Sequence, residues 1–285
     1  MKKILVTGAN GQLGSEIKVL AGNYPNFKFF FTDIDDFPLD KSSEIIKNFN
    51  LIQPDAVINC AAYTAVDKAE NNQEIADAIN HLAIGTLASL CQATGSKLLH
   101  ISTDYVFDGA SPIAYKEDAT PNPKSVYGVT KLAGEIACSK NCPDSIIIRT
   151  AWVYSEFGNN FVKTILRLMD ERNTLNVVND QIGSPTYAAD LAQAILTILD
   201  STKWESGIYN YTNEGEISWF DFAVDIKTLA QKSCEIIGIP ASSYPTPAER
   251  PAYSLLDKTK IREVYGIVPV DYKISLKIMM DRLEK

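Results

Sequence analysis

The stretch that most constrains this chain lies at its start. Residues 3–7 (KILVT) read as a buried strand. The strand breaks at once into Gly8-Ala9-Asn10-Gly11-Gln12-Leu13-Gly14, and a helix resumes from Ser15. Each glycine has a distinct physical use in such a loop. Gly8 permits the tight turn, Gly11 lets the backbone approach a pyrophosphate, and Gly14 allows close packing of the helix. The helix start then presents free N–H groups to the phosphates. A second apolar run, residues 27–32 (FKFFFT), ends at Asp33, placed 19 residues after Gly14. An acid at that point accepts hydrogen bonds from adenosine ribose hydroxyls and repels a 2′-phosphate. The pattern therefore predicts a nicotinamide dinucleotide site, NADH or NADPH, with NADH favoured.

Further apolar runs at residues 55–60 (DAVINC), 98–102 (LLHIS) and 145–149 (SIIIR) alternate with helical stretches. One helix is expected over residues 71–94, from the spacing of Ile75, Ala78, Ile79, Leu82, Leu87 and Leu90. Strands alternating with amphipathic helices predict an α/β fold, a Rossmann-like doubly wound parallel sheet. Beyond about residue 150 the pattern loosens into Pro- and Gly-rich segments with short helices at 188–199 and 219–232. The expected organisation is a dinucleotide-binding domain over 1–150 and a smaller substrate-binding lobe over 151–285. The boundary is soft and the segments interleave.

The formal net charge of -8 argues against a nucleic-acid partner. The five cysteines are scattered, Cys138 and Cys142 are the sole close pair, and two distant histidines complete no zinc site. Reduced thiols in a cytoplasmic protein are expected. The apolar run at the N-terminus is too short for a signal peptide, and no window approaches a membrane span.

Chemistry enters with Tyr127 and Lys131, four residues apart and so on one face of a helix. An ammonium beside the phenol is expected to lower its pKa toward neutrality, fitting it for proton transfer to a carbonyl oxygen. Thr103 follows a strand directly and faces the cleft, where its hydroxyl is expected to hydrogen-bond the substrate carbonyl. In this reading nicotinamide gives hydride, Tyr127 gives the proton, and Lys131 holds the ribose.

The glycine spacing resembles the extended short-chain dehydrogenase/reductase superfamily. Five segments go further: residues 59–70 (NCAAYTAVDKAE), 102–109 (STDYVFDG), 127–135 (YGVTKLAGE), 149–154 (RTAWVY) and 180–186 (DQIGSPT). With Arg250-Pro251 and residues 255–257 (LLD), they resemble the dTDP-4-dehydrorhamnose reductase family in the family's order. The resemblance implies reduction of the 4-keto group of a dTDP-linked 6-deoxy sugar, in dTDP-L-rhamnose synthesis. It implies cofactor contacts from Gly11, Gln12, Leu13, Asp40, Ala62, Tyr63 and Thr64, and sugar-nucleotide contacts from Asp104, Tyr105 and Trp152. Lys131, Arg149 and Arg250 are the basic groups expected beside the two anionic ligands. Some members form a homodimer through a metal ion held by acids, for which Mg²⁺ is the suited cation. Glu16 matches one such position and Asp190 lies near a second, displaced and shortened. No clear third is present, and no metal is assigned. The alternatives are a sugar-nucleotide epimerase or dehydratase, or a non-catalytic regulatory subunit on the same scaffold; the intact Thr103, Tyr127 and Lys131 speak against the last.

Overall fold

A computed structural model describes residues 1–283 of the chain. The chain begins in the middle of its sheet. Strand β1 (Lys2–Thr7) runs through the glycine loop into α1 (Gln12–Leu20), which delivers β2 (Phe27–Thr32) to one side. Helix α2 (Ser42–Ile52) then returns the chain to β3 (Ala56–Asn59) on the other side of β1. The crevice at this reversal, beyond the carboxyl ends of β1 and β3, is where such sheets bind ligands.

Helix α1 begins three residues before the expected start, because Gly11 occupies the cap position with extended backbone (φ -74°, ψ 176°). The single helix expected over 71–94 is also divided. Short helices α3 (Val66–Ala69) and α4 (Gln73–Asp77) lead to a widened π-type turn over Ala78–Leu82 and then α5 (Ala83–Thr94). Strand β4 (Lys97–Thr103), helix α6 (Val126–Asn141) and strand β5 (Ile146–Thr150) follow.

Beyond residue 150, β6 (Val153–Tyr154), α7 (Phe161–Glu171), β7 (Thr174–Val178), β8 (Ile182–Gly183) and β9 (Thr186–Tyr187) precede α8 (Ala188–Asp200) and β10 (Gly207–Asn210). Strand β10 pairs in parallel with β5 and completes a six-stranded sheet of order β10-β5-β4-β3-β1-β2. The sheet thus draws its last strand from the second half of the chain.

Its central strands β1, β3, β4 and β5 are largely buried on both faces, as parallel strands covered by helices must be. Ile4, Val6, Ile58 and Leu99 pack with Leu13 and Ile17 of α1 and Leu191 and Ile195 of α8. Leu5, Val57 and Leu98 pack on the opposite face with Ile45, Phe49, Ile84, Leu87 and Cys138. A third core, around Tyr154, Val162, Leu175, Phe222 and Leu276, belongs to the later segments. There β11 (Ile217–Ser218) opens α9 (Trp219–Leu229), and β12 (Glu235–Ile239) pairs with β7. Helices α10 (Thr259–Tyr265) and α11 (Tyr272–Leu283) end the described chain. All five cysteines are free, and among the described residues no helix is long and apolar enough to cross a membrane.

Candidate active site

The glycine loop is held by steric necessity. Gly8 has φ +66°, and a Cβ there would stand 2.7 Å from the Ala61 backbone. A Cβ on Gly14 would stand 2.4 Å from the Gly8 carbonyl oxygen and 2.5 Å from Ala9 Cα. Gly14 therefore seats α1 against the loop and does not itself line the cavity in front of it. Among the described residues no side chain caps α1, so its first N–H groups are left for a ligand. The Asp33 carboxylate ties this loop to the end of β2, accepting from Asn10 N at 2.7 Å and from Ile34 N at 2.8 Å.

A cavity of about 920 Å³ opens over the carboxyl ends of the central strands. That is near the upper end of the roughly 300–1,000 Å³ usual for one ligand, as befits a place for two. Its dinucleotide end is walled by Gly8, Gly11, Gln12, Leu13, Asp33 and Asp40, with Ala62, Tyr63 and Thr64 continuing from β3. Its other end brings together Thr103, Asp104, Tyr105, Tyr127, Lys131 and Trp152. Among the described residues Lys131 is the single basic side chain on these walls, so backbone N–H groups must hold much of any phosphate charge.

Asn80 positions one wall, a part the hydrophobic spacing did not single out. The π-type turn buries it, and its amide accepts from Tyr63 N at 2.8 Å and donates to Tyr63 O at 3.2 Å. It also donates to the Thr130 hydroxyl at 3.2 Å. The turn lies so close to α6 that a Cβ on Gly134 would meet the Asn80 carbonyl at 2.1 Å.

Thr103 ends β4, and Tyr127 and Lys131 lie in the first turns of α6. Ser125 caps that helix by accepting from Gly128 N at 3.2 Å, and Glu70 accepts from Val126 N at 2.9 Å. A Cβ on Gly128 would collide with the Tyr105 carbonyl at 2.2 Å, so the absence of one brings α6 onto the Asp104–Val106 turn. Lys131 is buried and donates to the Ile101 carbonyl at 2.6 Å. Burial lowers its pKa to about 8, against the pull of Glu135.

The Tyr127 hydroxyl moves opposite to the sequence expectation. Burial raises it to about 12, with Thr103 lowering it and Asp104 adding to the rise. Desolvation of the hydroxyl dominates, and the phenol is a firmly protonated group. Thr103 also differs from expectation: its hydroxyl donates to Asp104 Oδ1 at 3.1 Å.

The sequence matches the RmlD substrate binding domain family over residues 1–285. A dTDP-4-dehydrorhamnose reductase of Aggregatibacter actinomycetemcomitans is 42% identical, covering 97% of this chain and 98% of that one. The chain belongs to the RmlD substrate binding domain family. Among solved structures, the dTDP-4-dehydrorhamnose reductase of Clostridium acetobutylicum is similar with TM-score 0.95 and 41% identity, covering 99% of this chain and 100% of that one. The Bacillus anthracis dTDP-4-dehydrorhamnose reductase, solved in complex with NADP, has TM-score 0.94 and 35% identity, each chain covered to 99%.

The remaining family positions divide clearly. Trp152 lines the cavity with a left-handed backbone, φ +50°, a conformation that costs a non-glycine residue of order 1–3 kcal/mol. Its indole stacks on Trp219 at 3.6 Å, and Trp219 in turn meets Phe161 at 4.6 Å. Arg149 does not face the cavity, contrary to expectation. It is 2% exposed and bound by Glu135 in a fork, Nε–Oε1 2.9 Å and Nη2–Oε2 2.7 Å. Arg250 is likewise forked onto Asp67, at 3.0 and 2.7 Å.

Glu16 and Asp190 are both engaged by hydrogen bonds within the chain. Glu16 accepts from the Ser155 hydroxyl at 2.6 Å, and burial raises its pKa to about 7. Asp190 instead accepts from Asn213 and Ser275. Among the described residues no group of three such side chains is placed to hold a metal ion.

Proposed function

We infer that this chain is a dTDP-4-dehydrorhamnose reductase, reducing the 4-keto group of dTDP-4-dehydro-L-rhamnose to give dTDP-L-rhamnose. The observation that carries the reading is the meeting of Thr103, Tyr127 and Lys131 on one wall of the cavity whose far wall is the glycine loop. The full-length likeness to enzymes of that name supports the substrate. A bound reduced nicotinamide supplies the hydride. The helix start at Gly11, Gln12 and Leu13 takes its pyrophosphate. Asp33 and Asp40 serve the adenosine, and Ala62, Tyr63 and Thr64 flank the ribose next to nicotinamide. Lys131, with one proton spent on Ile101, has others for that ribose. Tyr127 holds the proton for the ketone oxygen. Asp104, Tyr105 and Trp152 contact the sugar nucleotide.

Oxidation of NADH or NADPH in step with added dTDP-4-dehydro-L-rhamnose tests the activity. Purified protein that oxidises neither cofactor would sink the assignment.

NADH is the preferred cofactor in this reading, because the Asp33 carboxylate repels a 2′-phosphate. Asp33→Ala removes that repulsion and a ribose acceptor together. The ratio of kcat/KM for NADH over NADPH is expected to fall roughly tenfold to a hundredfold, the worth of a charged hydrogen bond. Since Asp33 also holds Asn10 N, both cofactors will bind more weakly, and the ratio is the decisive quantity. An unchanged ratio would mean that Asp33 does not face the ribose.

A further inference from the structure

A residue in a strained conformation must be held there by its neighbours, and Trp152 is such a residue. Its backbone is left-handed, φ +50°, a state that persists only where the surroundings fix it more than once over. Three contacts do so. The Trp152 carbonyl accepts from Thr186 N at 3.2 Å. Gly183 leaves room for the indole, since a Cβ there would stand 2.9 Å from Cζ2 and 3.0 Å from Cε2. The third contact is the stack on Trp219, with ring centroids 3.6 Å apart and planes 14° from parallel.

Trp219 is itself firmly placed. Strand β11 pairs antiparallel with β8 and sets Ile217 opposite Gly183. A capping box then locks the start of α9: the Ser218 hydroxyl accepts from Asp221 N at 3.0 Å, and the Asp221 carboxylate accepts from Ser218 N at 2.9 Å. Trp219 is the first residue of that helix, and Phe161 of α7 braces its ring at 4.6 Å, tilted by 50°. The β8–β11 pair thus supplies both the gap that admits the Trp152 indole and, one residue further on, the ring against which it lies.

We propose that Trp219 is a positioning residue for the sugar: it holds the Trp152 indole in the cavity wall and thereby sets the affinity for the 6-deoxy sugar of the substrate. This rests on the reductase reading, in which Trp152 meets the sugar nucleotide. The indole lines the cavity, and its apolar face suits the C–H groups and the methyl of such a sugar. Without the stack, the Trp152 backbone gains by relaxing to negative φ. The strain it sheds corresponds to a factor of roughly five to over a hundred in the balance of the two conformers. The sugar binds the strained, wall-forming conformer, so its apparent affinity falls in proportion to the population lost. The dinucleotide end of the cavity lies apart from this stack, and its affinity is unaffected.

The test is steady-state ketone reduction by Trp219→Ala, with the sugar nucleotide and the cofactor varied separately. KM for the sugar nucleotide is expected to rise about tenfold or more. At saturation kcat stays within about threefold of wild type, and KM for the cofactor is unchanged, the pattern of a loss in uniform binding. Trp219→Phe keeps a flat ring and restores KM to within about threefold of wild type. Trp219→Leu keeps apolar bulk without a flat face and must show the raised KM, which keeps the proposal testable if Trp219→Ala does not fold. An unchanged sugar-nucleotide KM in Trp219→Leu overturns the proposal, as does a failure of Trp219→Phe to restore it. A fall in kcat with KM unmoved, or a joint rise in both KM values, overturns it too, because Trp219 would then be a general prop of the fold. With an active wild type these outcomes overturn the proposal alone, whereas a wild type that oxidises no cofactor overturns the reductase reading as well.

Discussion

Tyr127→Phe is expected to cut turnover by about 10²–10⁴-fold while leaving cofactor affinity nearly unchanged. The substitution removes one oxygen from a well-defended position. The ring meets Tyr105 edge-on at 5.5 Å and packs with Ala69 and Ala76, contacts that phenylalanine keeps. What disappears is a hydroxyl that burial raises to about 12. It stays protonated through the physiological range, which suits an acid in a reduction: the proton is held until charge develops on the ketone oxygen. Single-turnover reduction with preloaded cofactor measures the loss directly, and quenching of protein fluorescence by NADH measures what is retained. Near-normal turnover would move the proton donor to another group. Equal losses in turnover and cofactor affinity would mean that the hydroxyl braces the site and does not act in the chemistry.

The parts of this site that were legible in the sequence are those whose geometry is local. Gly8, Gly11 and Gly14 sit between a strand and its own helix, so spacing alone predicts the turn and the close packing. Tyr127 and Lys131 share one helix, and Thr103 ends a strand whose apolar run marks it. Charge without a partner was misleading. Arg149 reads as a cation free for phosphate, yet Glu135 reaches it from the neighbouring helix, and nothing in the sequence near Arg149 announces that pairing. The direction of the Tyr127 shift failed for the same reason, since burial is a property of the packed molecule. Asn80 was hidden differently: the spacing around it is helical, and the π-type turn that buries it arises where α5 meets Gly134. The sheet's sixth strand, β10, has too few residues and too ordinary a pattern to declare which sheet it joins.

Stability should depend strongly on the Arg149–Glu135 pair. Arg149→Met leaves Glu135, itself 2% exposed, as an unpaired charge in the interior, and such a break costs about 3–5 kcal/mol. The guanidinium is also held at the Glu117 carbonyl, 3.1 Å away, and over the Phe107 ring at 5.0 Å, so relaxation around the gap is limited. The double variant Arg149→Met with Glu135→Leu removes both charges and refills the volume. It is expected to recover most of the loss, to within about 1–2 kcal/mol of wild type, since a buried pair and an apolar replacement are often nearly equal in stability. Urea unfolding of the four proteins in the cycle gives the coupling directly. A single variant of wild-type stability with a raised KM for the sugar nucleotide would return Arg149 to the role of a ligand-binding cation. Activity supplies a second check, because Glu135 opposes the effect of burial on Lys131. Without that carboxylate the ammonium loses its proton more readily, so the fall in kcat expected as Lys131 titrates at about 8 should move to lower pH in the double variant.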